Sequence, residues 1–223
     1  MPTPSSRRSA LALLCGTALL AVGCASSPPA VRFHSLLGSD AGPVVTSEVA
    51  AVGAPLRLVV APVGIPPAVD QPQWLVRRAD DTLQMLEQDR WAAPLADELR
   101  AALQSRLAAR WGVVDGSLPR QAEADDRPAW RLVVDVQRID ARPGSNTLLD
   151  ARWSLLPPQR GAAAQPCSTR IVEPVQGSGT VPIAAAYRRS VARLADQIGA
   201  SLRAAAGSGT AVGCPPANSA PTV

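Results

Sequence analysis

The chain has 223 residues, with 22 arginines, no lysine, 18 acids and a single histidine, and a formal charge of +4. That length allows one domain or little more, and 47% hydrophobic against 18% charged residues is the composition of a folded protein, not a disordered one. Without lysine there is no P-loop lysine, Schiff base or Ser–Lys dyad, and His34 alone leaves no room for a multi-histidine metal site.

Residues 1–9 carry Arg7 and Arg8 and no acid, and residues 10–23 are an apolar run. The run is shorter than the ~20 residues of a spanning helix. A charged start, a short apolar stretch and small residues before a cut describe a secretory leader. Arg7-Arg8 lacks the bulky apolar residues expected directly after a twin-arginine pair, so the general export route is expected. Leu20-Ala21-Val22-Gly23-Cys24 resembles the lipobox of bacterial lipoproteins, with Ala21 where leucine is usual. The resemblance implies cleavage after Gly23 and acylation of Cys24, and three acyl chains exceed what stable anchoring needs. Ala25, Ser26 and Ser27 follow, with no aspartate to resemble an inner-membrane retention signal, so the expected place is the periplasmic face of the outer membrane. Maturation leaves 20 arginines against 18 acids, a balance of +2 that gives no argument for nucleic acid.

Residues 24–30 read as a short tether. Residues 31–37 alternate apolar and polar as a half-buried strand does, and residues 56–65, β-branched and bounded by Pro55 and Pro66, read as a central strand. Leu95, Leu99, Leu103 and Leu107 recur every four residues and predict a helix over 93–111, with Pro94 in its first turn and Gly112 at its end. Asp97 and Glu98 near its start and Arg106 and Arg110 near its end complement the helix dipole. Val113-Val114 opens a short strand, and residues 115–128 are a polar connection. Residues 130–139 and 148–156 predict an antiparallel hairpin turned at Pro143-Gly144-Ser145, with 168–173 as a third strand. Ile183, Tyr187, Val191, Leu194, Ile198 and Leu202 predict a second helix over 182–205, with Arg188, Arg189, Arg193 and Gln197 outward. Residues 207–223 read as a flexible tail. The expected architecture is a single α+β domain over 31–206, a mostly antiparallel sheet packed against two long amphipathic helices.

No catalytic set emerges. His34 reads as an exposed strand residue, no serine lies in G-x-S-x-G, and Asp80-Asp81 and Asp125-Asp126 fall in polar loops. Gly177-Ser178-Gly179-Thr180 reads as a loop with Thr180 capping the second helix. Neither enzyme activity nor a cofactor is expected. Of the four cysteines, Cys15 leaves with the leader and Cys24 is the acylation site. Cys167 and Cys214 are then a candidate disulfide in an oxidising compartment, with two free thiols as the alternative.

Residues 66–95 exceed an ordinary connection and hold two of the five tryptophans. Residues 74–78 and 82–87 predict a small hairpin. Trp and Arg together favour an interface, although Trp91 equally suits packing beneath the first helix. The strand LRLVVAPV, the following IPPAVDQPQWLVR and then DRWAAPL resemble the PqiC/YmbA family of ABC-type transport auxiliary lipoproteins. Asp70, Pro72, Gln73, Val76, Arg77, Arg90, Trp91, Pro94 and Leu95 carry the match, with Gln71 where arginine is common and Trp74 where an aliphatic residue is common. The resemblance implies a ring-forming, non-enzymatic lipoprotein that partners a periplasmic MCE-domain protein and its inner-membrane ABC transporter in lipid movement. Phospholipid is a candidate cargo, with the lipid itself left open. Asp70, Pro72, Gln73, Arg77, Arg90, Trp91 and Pro94 are then candidates for partner contacts or for the geometry behind them. The alternative is a structural envelope-assembly lipoprotein without lipid cargo.

Overall fold

The computed structural model describes residues 29–38, 56–117, 129–159, 164–208 and 212–215. The leader, Cys24, most of the tether and Asp125-Asp126 lie outside them. From Val31 onward the chain is one compact unit. Its strands are β1 (Arg32–His34), β2 (Arg57–Val60), β3 (Gln73–Arg77), β4 (Leu83–Trp91), β5 (Val114–Asp115), β6 (Trp130–Arg142), β7 (Asn146–Leu156) and β8 (Cys167–Pro174), and its helices are α1 (Leu95–Trp111) and α2 (Thr180–Ser208). The class is α+β, as expected, but the strands form two sheets instead of one: a small sheet ordered β1-β4-β3 and a larger one ordered β5-β2-β6-β7-β8. Both are mixed. β2 runs parallel to β5 and β6, whereas β6, β7 and β8 form an antiparallel meander.

The meander follows directly from its sequence. In β6 and β8 buried and exposed residues alternate, because one face of an antiparallel sheet meets the core and the other meets water. Leu132, Leu149, Trp153, Leu155 and Ile171 fill the buried face. The β6–β7 turn is Pro143-Gly144-Ser145, where Gly144 takes a φ of 69° that a residue with a Cβ rarely adopts.

Helix α1 buries the predicted leucines, Leu95, Leu99, Leu103 and Leu107. Pro94 precedes its first turn and is its N-cap, not its first helical residue, and the Pro94 carbonyl accepts the amides of Asp97 at 2.9 Å and Glu98 at 3.0 Å. Gly112, left-handed at φ 61°, closes the helix with its N–H on the Ala108 carbonyl. Glu98 is buried, and its Oε2 accepts the Ser35 hydroxyl at 2.7 Å and the Leu36 amide at 2.8 Å, which fixes the chain just after β1.

Helix α2 lies on β7, β8 and α1. The two helices meet closely at Gly199, where an added Cβ would sit 2.5 Å from the Trp111 indole. Asp196 accepts both Arg106 and the Trp111 N–H across this contact. Gln197, expected outward, instead turns its Oε1 to the Thr169 hydroxyl at 2.8 Å, and Thr169 in turn accepts the Trp153 indole at 3.0 Å. A buried indole N–H needs an acceptor, and this chain of hydrogen bonds supplies one.

Candidate functional site

The segment 66–95 builds most of the small sheet. After a 3-10 turn at Pro67–Val69, β3 and β4 form the expected hairpin, and β1 adds parallel to the far end of β4. The hairpin tip turns through Asp81 at φ 66°. There Asp80 accepts the Thr82 amide and hydroxyl at 3.1 and 2.7 Å, bonds that hold its carboxyl below the usual range. Strand alternation sends Trp74, Val76 and Trp91 inward. The Trp74 ring lies 4.5 Å from Trp91 and 6.1 Å from Tyr187 of α2, so both tryptophans are core residues and neither is presented to a partner. Tyr187 is buried with them, and its hydroxyl is pushed well above its ordinary value by burial, with the Asp140 carboxylate adding to the effect.

Beside this aromatic nest sits a buried polar cluster. The β1–β4 register sets Arg32 opposite Asp89 and His34 opposite Trp91. Asp89 is 3% exposed. Its Oδ1 accepts Arg32 Nε at 2.9 Å, the Thr180 hydroxyl at 2.8 Å and a 2.7 Å contact from His34 Nε2, and its Oδ2 accepts Arg32 Nη2 at 2.6 Å. Burial alone would push this carboxyl up. The donors of Arg32, His34 and Thr180 outweigh it and hold Asp89 at about 2. His34 is thus not the exposed strand residue that its sequence setting suggests. It is 9% exposed, stacked 4.5 Å from Trp74, because β1 docks its inner side where α2 begins. Thr180 likewise does not cap α2 with its side chain; its hydroxyl is committed to Asp89. All these donors converge on one carboxylate, so the cluster pins three segments together. Among the described residues no group of His, Cys, Asp and Glu is arranged to hold a metal ion.

The residues singled out by sequence divide accordingly. Pro72 supplies a carbonyl to the Trp91 amide at 2.9 Å, and Gln73 pairs with Arg90 across the hairpin. Arg77 reaches Asp140 of β6 at 3.3 Å and the Asp81 carbonyl at 3.0 Å, joining the small sheet to the large one. Arg142 adds contacts to Asp81 and to the Arg78 carbonyl. Trp91 is buried and Pro94 caps α1. Asp70, at the end of the 3-10 turn, is exposed, and its side chain makes no hydrogen bond among the described residues. Cys167 and Cys214 are joined by a disulfide, and Val212 beside it is buried, so this part of the tail is fixed to the start of β8. A cavity of about 250 Å³ lies between β2, β5 and α1, lined mainly by Leu58, Val60, Leu107 and Val113. That is below the usual range for small-molecule sites.

Sequence reasoning missed Asp89 and Thr180. Arg32 and His34 are two apart on a strand and so share a side of it, where one acid can serve both, and that signal was available. Which acid it is depends on pairing across 55 residues.

A family model described as ABC-type transport auxiliary lipoprotein component matches residues 39–199. Among solved structures, a crystal structure of an uncharacterized protein aligns with a TM-score of 0.57 at 18% identity, covering 68% of this chain and 95% of that one. A protein from Xanthomonas campestris aligns with a TM-score of 0.53 at 18% identity, covering 70% and 90%. At that identity these two likenesses establish the fold alone. No curated protein matches the chain. Among the described residues no helix is long and apolar enough to cross a membrane.

Proposed function

Because the chain belongs to the family of ABC-type transport auxiliary lipoprotein components, we propose that it is the outer-membrane docking subunit of an intermembrane lipid-transport assembly. Cys24, acylated after removal of residues 1–23, holds it at the periplasmic face. Its partners are a periplasm-spanning MCE-domain protein and the inner-membrane ABC transporter behind it, and phospholipid is the cargo. The subunit does no covalent chemistry. It presents a rigid body, in a ring of copies, that receives the end of the partner's conduit.

The observation that carries this reading is the family match over most of the chain, together with a segment 66–95 whose characteristic residues are mostly consumed in building the small sheet. Trp91, Pro72, Arg77 and Pro94 therefore serve geometry. Asp70 and the exposed prolines around it are left as the contact surface for the partner.

The test is to extract the full-length lipoprotein in mild detergent and identify co-purifying proteins and lipids by mass spectrometry. An MCE-domain protein with phospholipid supports the proposal, and Asp70→Arg is expected to lose that protein without changing the melting curve. A clean monomer with neither overturns it in favour of a structural envelope lipoprotein. Cys24→Ser is expected to release the protein into the soluble periplasm; retention in the membrane fraction refutes the anchor.

A further inference from the structure

Among the described residues, the small sheet buries one face against α2 and leaves most of the other exposed, apart from Arg77, which reaches Asp140 of β6. By register, Phe33 stands beside Arg90, Leu75 beside Met85, and Arg77 beside Leu83, all on the side opposite Trp74, Val76 and Trp91. Phe33 is 67% exposed, Leu83 50% and Met85 40%. Val31, two residues before Phe33 and also exposed, joins the same side. The other exposed apolar residues are Leu37 just after β1, Val133, Leu156 and Val172 on the outer face of the large sheet, and Val181 at the start of α2. Single exposed apolar side chains are ordinary, but several on one face mark a contact.

The covalent chain says what lies nearby. Six residues lie between Cys24 and Val31, and even fully extended the seven steps span at most about 25 Å. Val31 and Phe33 are the first exposed apolar side chains of the body after that tether. We propose that this face of the small sheet lies against the anchoring bilayer, with Phe33 and Met85 entering the interfacial region. The proposal rests on acylation of Cys24. Glu87 on β4 and Asp80 and Asp81 at the hairpin tip are also exposed, so the face has no marked positive excess and the apolar side chains supply the attachment. Amphipathic helices that lie in the interface bury their apolar face about 5–10 Å into the headgroup region, the depth expected of these side chains.

The acylated full-length protein offers a direct test. Cys15 leaves with the leader, Cys24 is lipid-linked and Cys167 is bonded to Cys214, so Phe33→Cys, Met85→Cys or a control Val133→Cys introduces one free thiol for an environment-sensitive fluorophore. Each labelled protein is reconstituted into vesicles of phosphatidylethanolamine and phosphatidylglycerol, with or without lipids carrying a quencher, and separated by flotation. Loss of fluorescence to the quencher at positions 33 and 85 but not at 133 is the expected result. Flotation with unquenched labels at 33 and 85 overturns the proposal alone and assigns the face to a second copy or a protein partner. Equal quenching at 133 also overturns it, as adsorption without orientation. Failure to float removes the anchor and this face together.

Discussion

Asp89→Asn is the most informative single change. It keeps the shape of the side chain and one acceptor oxygen, which can still serve Arg32 Nε, His34 and Thr180, but it removes the charge and turns a donor toward Arg32 Nη2. The drop of the native carboxyl from the ordinary 3.8 to about 2 corresponds to about 2 kcal/mol of stability, at about 1.4 kcal/mol for each tenfold change in proton affinity. Because the folded state binds the proton more weakly than the unfolded chain, this contribution is complete above pH 4. It is lost as pH falls through the window from 3.8 toward 2. The variant has no carboxylate there and lacks that dependence. The assay is urea unfolding at a series of pH values, read by tryptophan fluorescence, since Trp74 and Trp91 sit beside the cluster. The wild type is expected to exceed the variant by about 2 kcal/mol near pH 7, with the gap closing between pH 4 and 2. Equal stabilities at pH 7, or a gap that persists unchanged at pH 2, refute the assignment of Asp89 as the charged centre of this cluster.

Trp91→Ala is expected to cost about 3–5 kcal/mol, because it empties part of a stacked aromatic core. Arg77→Ala is expected to cost about 1 kcal/mol, since its pair with Asp140 is partly solvated; equal urea midpoints for the two variants count against this placement of Trp91. Gly199→Ala is expected to destabilise by about 1–3 kcal/mol through its clash with the Trp111 ring. Helix propensity alone predicts a gain for the same change, so a raised melting temperature would show that α1 and α2 are not in contact there. Reducing the Cys167–Cys214 bond, or Cys214→Ser, opens a closure of 47 residues. The chain-entropy treatment sets its loss at about 4 kcal/mol, to be measured by calorimetry with and without reductant.

The elements with short-range signals were legible. The leucine spacing of α1, the alternation of β6 to β8 and the hairpin turn at Gly144 each follow from local pattern, and all are present within a few residues of their expected bounds. The division into two sheets was not legible. It depends on β1, only three residues long, pairing with β4 instead of extending the larger sheet, and no local pattern encodes that choice. The same gap explains His34 and Gln197. Alternation tells which residues share a side of a strand, and helical spacing which share a stripe, but neither tells what another element places over them. Segment 66–95 was recognisable as unusual, yet its tryptophans looked like contact residues because an aromatic buried in a small sheet and one offered to a partner have the same local sequence. Cys24 and the residues around it lie outside the described part of the chain, so the anchor stands on its sequence alone.

The Asp89 cluster also sets an order of assembly. β1 is completed only by β4, and the acid that locks it is 55 residues downstream of His34, with a further donor, Thr180, 91 residues beyond that acid. Contacts of such separation form late, after the loops between them have closed. A chain exported N-terminus first presents β1 long before its partners arrive. β1 then waits for β4 to pair with it, and its Asp89 lock is complete only when Thr180 at the start of α2 has followed. The antiparallel meander can settle independently of that step, since its strands pair with their neighbours in sequence. The segment that joins body to anchor is therefore the last to be secured, and it is secured by four side chains.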